Sequence, residues 1–488
     1  MANDFILVLD LGGPEAERMA RKLRNQHYYT EIISRKADIG LFRRKSPRGI
    51  LIAGGEEADH AGVFPRAVLM LGVPVLAMGG AARMLAAAEG ARSEGVLLKD
   101  SAAQIRFDPC PLFDGLTESD RYFTRVDGFA LPENYRPIAT TMDGLVPAFA
   151  DFDRSLYALQ FYAESNDPDG AVMLSNFAEK ICGCTPVWTL ENYIDDEVRF
   201  IRERVGAKRA IVAVSGGVDS ATCALLMRRA IGDALTCVLV DNGLLRVSEA
   251  DHVRETYKTE LGLDVVCIDA AERFLSRLRG IVDPVEKHRA VHEEFIEVLS
   301  EFARSQPDEP YLVKGTIYSD LLASGASDEA YARTFDSGPV LEPVRMLFKE
   351  EVREVGATMG LPETISSRRS FPGPGLAIRC CGEVTPEKLA ALRKADRIMR
   401  DVVREAGQNK RLTQYFAVMT DTRALSLGGY GWVCALRAVA EQGAHFSVGK
   451  LPYDVLDRAA ERILSEVHGV ARVVYDISGN ACDAVEWE

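Results

Sequence analysis

Short apolar runs alternate with helical segments in two separate parts of the chain, and this alternation constrains the fold more than any other feature. The runs in the first part are residues 5–10, 30–34, 49–53 and 73–77, with helical spacing at 14–25. The runs in the second part are residues 210–215, 235–241, 264–268 and 311–315, with helices expected at 218–231 and 249–262. Strands that alternate with helices form parallel sheets covered on both faces. The sequence therefore predicts two α/β units.

The chain has 488 residues, a length that suggests about three domains. A connecting helix is expected at 190–206. After about Pro374 the pattern changes to long helices at 386–406 and 453–467, with strands at 415–419 and 472–477, which indicates a separate α+β module. We predict domains at residues 1–186, 187–375 and 376–488.

Composition excludes several classes of protein. The formal net charge of −14 argues against a general nucleic-acid binder, which needs a basic face. The stretch from Ala67 to Ala88 is interrupted by Pro74 and Arg83, which is typical of a strand followed by a helix rather than of a membrane span. The ten cysteines are scattered, which favours reduced thiols. We therefore expect a cytoplasmic protein that binds neither nucleic acid nor membrane.

The most informative motif is the segment Ser215-Gly216-Gly217-Val218-Asp219-Ser220, which follows an apolar strand and opens a helix. Glycines let backbone N–H groups approach an anion, and the start of a helix adds unpaired donors and a partial positive charge. Ser215 and Ser220 offer hydroxyl donors, while Asp219 could hold Mg²⁺ or cap the helix. A simple glycine turn with a serine cap is the alternative. The chain has no GxxxxGK[ST] segment, so it is not a P-loop kinase or GTPase.

This loop resembles the SGGxDS signature of the N-type ATP pyrophosphatases. Further matches to the GMP synthase family occur in order along nearly the whole chain, at Leu235–Arg246, Gly315–Asp320, Phe371–Leu376 and Tyr475–Gly479, and at the ending Glu486-Trp487-Glu488. The resemblance implies that ATP is cleaved between its α- and β-phosphates, that an acceptor oxygen becomes an adenylate, and that a nucleophile then displaces AMP. ATP and Mg²⁺ are the expected cofactors, with Asp219 as the candidate Mg²⁺ ligand.

The resemblance also assigns roles to residues. Ser215, Asp219, Ser220 and Asp320 are the catalytic candidates, with Asp320 near the metal or the acceptor. The nucleotide site takes the loop residues together with Val240, Asp241, Gly315 and Thr316. Arg379, Gln414, Arg472 and Glu486 would face the acceptor, although Arg472 and Glu486 could instead be surface charges. Residues 376–488 are implied to form a dimerisation module, so a homodimer is expected.

Residues 1–186 resemble a flavodoxin-like class I glutamine amidotransferase domain that lacks its chemistry. Such a domain uses a cysteine on a sharp strand-to-helix turn, a histidine and a glutamate. Gly79 stands at the cysteine position and Tyr162 at the histidine position, and only Glu164 remains. Cys110, His27 and His60 lie in unrelated segments, and Gly54-Gly55 could keep the old oxyanion turn. We expect a structural or docking unit without glutaminase activity.

The central domain resembles the doubly wound parallel-sheet ATP pyrophosphatase fold (adenine nucleotide alpha hydrolase-like), with departures from the family pattern. The lid at Ala323–Pro339 is short and lacks the family's basic, histidine-rich run, and Asn480 replaces a lysine. Several of the family's basic groups serve the 5′-phosphate of xanthosine monophosphate, and each charged hydrogen bond lost costs about 1.5–3 kcal/mol. The acceptor is therefore expected to be purine-like or a related heterocycle, aminated by free ammonia or another amine.

Two residue pairs leave alternatives open. Cys380-Cys381 beside Arg379 could supply sulfur as the nucleophile, or could be a buried small pair facing opposite sides of a strand. His288 and His292, which also depart from the family pattern, would share a helix face as metal ligands or as a surface pair. A non-catalytic nucleotide-binding regulator is the third possibility for the whole chain.

Overall fold

The computed structural model describes residues 4–34, 39–54, 64–162, 168–318, 320, 339–366, 368, 371–426, 429–442, 445–478 and 486–487. Contacts divide the chain into two compact units, Met1–Tyr193 with Tyr318–Tyr331, and Ile194–Ile317 with Ala332–Glu488. No helix within the described ranges combines the length and the apolar character needed to span a membrane.

The first unit is built on a nine-stranded sheet, counted over the described residues, in the order β2-β1-β3-β4-β9-β8-β7-β5-β6. Its strands are β1 Ile6–Asp10, β2 Thr30–Ser34, β3 Gly49–Gly54, β4 Val75–Gly79, β5 Arg92–Phe107, β6 Glu118–Ala130, β7 Arg136–Thr141, β8 Ala148–Asp151 and β9 Leu156–Leu159. Its helices are α1 Glu15–Asn25, α2 Ile39–Lys45, α3 Gly80–Ala88 and α4 Pro168–Asn176, and a single π-helical turn follows at Phe177–Ile181.

Only part of this sheet is parallel. Strands β2, β1, β3, β4 and β9 pair in parallel, as the strand–helix alternation predicted. Strands β8, β7, β5 and β6 extend the sheet antiparallel, which the sequence did not predict. The reason is that β5 is exposed over most of its length and carries no continuous apolar run. Strand β4 begins at Val75 rather than at residue 73, because Pro74 has no N–H to donate to the ladder.

The second unit contains a five-stranded parallel sheet in the order β12-β11-β10-β13-β14. Its strands are β10 Ala210–Ala213, β11 Leu235–Asp241, β12 Val265–Asp269, β13 Tyr311–Val313 and β14 Val340–Leu341. The helices along this part of the chain are α5 Leu190–Val205, α6 Val218–Ile231, α7 Glu249–Leu261, α8 Ala271–Leu278, α9 Pro284–Arg304, α10 Lys349–Thr358 and α11 Glu363–Ser366. The fold is the predicted doubly wound arrangement, and α6 begins and ends at the predicted residues.

A smaller sheet follows in the same unit, formed by β15 Gln414–Ser426, β16 Gly429–Gln442, β17 His445–Val448 and β18 Val470–Tyr475. Two helices accompany it, α12 Pro386–Glu405 and α13 Tyr453–Glu466. Helix α12 begins where Thr385 accepts the N–H of Lys388 at 3.3 Å and Pro386 occupies the first turn. Residues of both sheets, for example Val238 and Leu436, join one hydrophobic core together with Leu376 from the segment between the sheets. The division at residue 375 stays a prediction, because this core is continuous across it.

Helix α10 approaches α6 closely at one glycine. A Cβ atom on Gly356 would lie 2.8 Å from Oγ1 of Thr222 and 2.9 Å from Cδ2 of Leu361. The Thr222 hydroxyl already donates to the carbonyl of Val352 at 3.4 Å, so it has little room to move. The glycine therefore sets the distance between α10 and the helix that follows the Ser215–Ser220 loop.

We predict that Gly356→Ala destabilises the chain even though alanine is the better helix former. Overpacking of this kind costs about 1–3 kcal/mol, which outweighs the propensity gain of about 0.5–1 kcal/mol. The midpoint of urea unfolding should fall. Thr358→Ala, at an exposed position of the same helix, is the control and should leave the midpoint nearly unchanged; a midpoint that rises in Gly356→Ala would contradict the close packing.

Candidate nucleotide and acceptor site

The carboxyl ends of the central strands of the parallel sheet lie side by side. Strand β10 pairs with β11 on one side and with β13 on the other. The strand ends and the segments that follow them carry residues 215–220, 240–243 and 315–316, so the topology brings the predicted nucleotide residues to one edge of the sheet. Ligands of open α/β sheets bind at this edge.

Hydroxyl groups organise the loop between β10 and α6. The backbone N–H of Ser215 donates to Oγ of Ser220 at 3.2 Å, and the two Oγ atoms are 3.3 Å apart. The Ser220 hydroxyl lies 3.2 Å from the carbonyl of Gly217. Gly216 has φ +73°, a conformation that side chains other than glycine rarely adopt. The loop is held in one shape with its amides at the start of α6.

Two further strand ends complete the edge. A Cβ atom on Gly315 would lie 3.1 Å from the backbone nitrogen of Ser220, so the glycine allows β13 to approach the loop. Thr316 is buried and donates to Glu342 at 2.7 Å. Asp241 accepts the N–H of Gly243 at 3.0 Å and so shapes the turn after β11.

Lys349 and Arg368 contact the loop, and sequence reasoning assigned a role to neither. Nζ of Lys349 lies 2.6 and 2.8 Å from the two carboxylate oxygens of Asp219. Arg368 donates to the carbonyl of Gly216 at 3.1 Å and pairs with Glu249. Lys349 is the first residue of α10, where the helix dipole disfavours a cation. A lysine at this unfavourable position is the one feature of the sequence that could have pointed to a role for Lys349. The sequence around Arg368 contains no feature that predicts its contact with Gly216.

Arg379 and Glu486, two of the predicted acceptor residues, bind each other. Nε and Nη2 of Arg379 donate to the Glu486 carboxylate at 2.9 and 2.8 Å, a bidentate pair. The Arg379 side chain is fully buried over the ring of Phe416, 3.9 Å from its centroid. Its Nη1 atom is buried and makes no hydrogen bond with any residue that the structure describes. Gln414 is half-buried at the start of β15, and Arg472 is exposed on β18.

The remaining predicted residues are placed as follows. Asp320 is exposed and belongs by its contacts to the first unit. Cys380 is buried in the large core of the second unit, whereas Cys381 packs in a separate cluster with Phe416, Val418 and Ala435. His288 and His292 are exposed on α9. Within the described residues, no group of three His, Cys, Asp or Glu side chains is arranged to hold a metal ion. Asn480 and most of the lid, residues 323–338, lie outside the described residues.

In the first unit, the predicted strand-to-helix turn is present at Gly79. This residue ends β4 with φ +60° and ψ −125°, and α3 follows at once. A Cβ atom on Gly79 would lie 2.1–2.3 Å from ring and hydroxyl atoms of Tyr162. The Tyr162 hydroxyl donates to the carbonyl of Gly54, whose N–H lies 3.3 Å from the same oxygen. The tyrosine therefore occupies the space that a nucleophilic side chain would need.

Of the other thiol and imidazole groups considered in this unit, the structure describes Cys110 and His27. Burial raises the pKa of the Cys110 thiol, which disfavours the reactive thiolate. Nδ1 of His27 lies 3.0 Å from the carbonyl of Trp188. Burial also raises the pKa of Tyr162, so its phenol stays protonated. Gly55, His60 and Glu164 lie outside the described residues.

The sequence of the chain is similar to known proteins of one family. The GMP synthase C-terminal domain family matches residues 401–487. The glutamine-hydrolysing GMP synthase of Acetivibrio thermocellus is 37% identical over 511 aligned positions, covering 100% of both chains. That of Thermomicrobium roseum is 40% identical and covers 99% of this chain and 97% of its own. A solved GMP synthase subunit protein, named as putative, from Thermoplasma acidophilum is 21% identical, with a TM-score of 0.32 over 37% of this chain and 94% of its own.

The fold and the full-length relatives define an ATP-dependent, AMP-forming carbon–nitrogen ligase. More specifically, the chain belongs to the GMP synthase family. The resemblance predicted from its motifs is confirmed.

We predict that Lys349→Gln weakens binding of a non-hydrolysable ATP analogue. Loss of one charged hydrogen bond removes about 1.5–3 kcal/mol, so the dissociation constant should rise roughly tenfold or more. Calorimetric titration measures it. Arg353→Gln removes an exposed cation from the same helix and should change nothing. Equal affinity in Lys349→Gln and the native chain would show that Lys349 only balances the charge of Asp219.

We predict that Gly79→Ala destabilises the chain more than Gly72→Ala does. Gly72 also has a positive φ, +71°, but a Cβ atom added there would meet no atom within 4 Å, so this variant measures backbone strain alone. The ring of Tyr162 should add about 1–3 kcal/mol at position 79, visible in calorimetric melting. In the double variant Gly79→Ala/Tyr162→Ala, the two effects should be strongly non-additive. Equal losses at Gly72 and Gly79 would exclude the steric contact.

Proposed function

We propose that this chain adenylates a carbonyl-type oxygen of a purine-like acceptor, and that free ammonia or another amine then displaces AMP. In this proposal the chain hydrolyses no glutamine, although its relatives are named for doing so. The domains 1–186, 187–375 and 376–488 and a homodimer formed through the last of them belong to the same proposal.

The contact between Gly79 and Tyr162 is the observation that supports free ammonia or another amine, rather than glutamine, as the nitrogen donor. Glutamine hydrolysis needs a nucleophile, a base that reaches it, and donors for the oxyanion. Position 79 has no side chain, and the Tyr162 ring fills the space beside it. The Tyr162 hydroxyl also engages both backbone groups of Gly54. Neither glutamine nor a thioester could enter this turn unless the tyrosine moved, and this supports a nitrogen source other than glutamine.

The Ser215–Ser220 loop supports the ATP part. The acceptor oxygen attacks the α-phosphorus of ATP, the bond to the bridging oxygen breaks, and pyrophosphate leaves. Backbone amides at the start of α6, the two serine hydroxyls and the Lys349 ammonium can stabilise the charge that develops on pyrophosphate. Ammonia then attacks the activated carbon, and AMP departs with the former acceptor oxygen.

Asp219 fits a magnesium ion as a single carboxylate ligand. Mg²⁺ usually binds one or two carboxylates together with phosphate oxygens and water, so a cluster of three acidic residues is not needed. Asp219 lies in the first turn of α6 beside the loop, where Lys349 engages both of its oxygens. When bound, the ion would neutralise charge on the phosphates.

The acceptor side is supported by the orphaned Nη1 of Arg379. A buried guanidinium is costly unless its donors are paired, and Glu486 pairs only two of the nitrogens. An acceptor carbonyl or phosphate oxygen would satisfy the third. The ring of Phe416 fixes the guanidinium plane from below.

Sulfur chemistry is less well supported. Cys380 and Cys381 are both buried, and they pack in different hydrophobic clusters, so they do not face one cavity together. Their neighbours Lys287 and Lys388 donate to the carbonyls of Cys380 and Cys381, respectively. These contacts support the alternative of a buried small pair.

We predict that the chain releases pyrophosphate with ATP, Mg²⁺, a purine acceptor and ammonium, and none when glutamine replaces ammonium. Xanthosine monophosphate, xanthosine and other purines should be tried as acceptors. Adding a separate glutaminase should restore turnover with glutamine, because it supplies ammonia. Ser220→Ala should lower the rate strongly and serves as the control for the loop. Glutamate formed from glutamine by the chain itself would refute the proposal.

A further inference from the structure

A cluster of basic residues lies along α12, and none of its members belongs to the Ser215–Ser220 loop. A cleft of about 260 Å³ is lined there by five arginines and two aspartates, together with Val247 and Ser248. The arginines are Arg246, Arg393, Arg397, Arg400 and Arg404. The chain as a whole carries a net charge of −14, so the cleft has the opposite sign of charge from the chain as a whole.

Helix geometry places four of these arginines together. Positions 393, 397, 400 and 404 are separated by four, three and four residues, so they lie on one face of α12. Like charges at this spacing destabilise a helix, because their side chains are neighbours. The arrangement therefore needs a compensating negative charge.

The aspartates of the cleft compensate only partly. Asp401 lies 3.7 Å from Arg397 and 3.9 Å from Arg404, too far for hydrogen bonds. Asp396 is buried and is shared between the N–H of Ala417, at 3.2 Å, and Arg246. Arg400 has no carboxylate partner among the described residues.

Arg246 is the innermost cation of the cleft. It stacks on Phe371, 4.2 Å from the ring centroid, and its Nε lies 3.3 Å from Asp396 without forming a hydrogen bond. Burial lowers the pKa of Arg246 to about 10; Asp396 opposes this shift, whereas the charges of Arg400 and Arg379 add to it. A bound anion would stabilise this guanidinium.

We infer that this cleft binds a small polyphosphate anion, either free or as part of a nucleoside triphosphate. Guanidinium groups form bidentate hydrogen bonds with phosphate oxygens, and several of them around one cleft suit several phosphate groups. The volume suits a small anion rather than a macromolecule. The site is separate from the one proposed for ATP cleavage, and the inference does not rest on the proposed reaction.

The cleft is connected to the ATP loop by a short series of polar contacts. The backbone N–H of Arg246 donates to Glu249 at 2.9 Å, and Glu249 pairs with Arg368. Arg368 donates in turn to the carbonyl of Gly216. Arg393 holds the carbonyls of Gly243 and Leu245 in the loop after β11. An anion that moved Arg246 or Arg393 would therefore act on residues that shape the nucleotide site.

The test is calorimetric titration of the full chain with tripolyphosphate, after the Ser215–Ser220 loop has been saturated with a non-hydrolysable ATP analogue. We expect one binding site in the native chain. Arg397→Gln/Arg400→Gln should weaken it by about tenfold or more. Lys394→Gln removes an exposed cation of the same helix outside the cleft and should leave the affinity unchanged.

Absence of binding in the native chain, equal binding by the double variant, or an equal loss in Lys394→Gln would overturn the inference. Competition by GTP for the tripolyphosphate site would support the cleft and identify nucleoside triphosphates as its ligand. Tripolyphosphate binding without competition would support the cleft for free polyphosphate. Binding of the ATP analogue is measured first. If the analogue does not bind, the proposed adenylation site is wrong, and this result is distinct from a failure of tripolyphosphate to bind the cleft.

Discussion

The first turn of helix α6 presents backbone N–H groups that the helix itself cannot satisfy, and the second unit is arranged around this constraint. Strand β10 ends one loop before α6, and its neighbours β11 and β13 end at the same edge. Glycines at 216 and 315 allow this close approach of backbone to backbone. Lys349, at the start of its own helix, pairs with Asp219, and this ion pair places a cation beside the loop.

The first unit keeps the shape of a strand-to-helix turn without a nucleophile on it. The backbone at Gly79 has a positive φ at the junction of β4 and α3. Because Gly79 has no side chain, the turn leaves space next to the backbone N–H and carbonyl of Gly54. The ring of Tyr162 fills this space, and its hydroxyl forms hydrogen bonds with both the N–H and the carbonyl of Gly54. The residues at the positions predicted for nucleophile and base thus fit each other sterically, which favours retention of the domain as a folded unit.

Buried parallel strands and the loop at residues 215–220 could be predicted because their signals are local. Strands β1, β3 and β11 are continuous apolar runs, and α6 follows its loop directly. The antiparallel strands β5 and β6 could not be predicted in the same way, since most of their side chains are exposed. Lys349 and Arg368 contact the loop from positions more than a hundred residues away in sequence. Gly79 and Tyr162 are likewise distant in sequence and contact each other only in the folded chain. Local pattern contains no information about such pairs.

The turn after β11 is held by residues that follow it by more than a hundred positions. The N–H of Leu376 donates to the carbonyl of Leu244 at 2.8 Å, and Arg393 binds the carbonyls on either side of that residue. The parallel sheet and the smaller sheet are also joined by one apolar interior. Neither half of this unit is therefore expected to evolve as an interchangeable module. A change in the region after residue 376 that moved Leu376 or Arg393 would therefore also move the turn after β11.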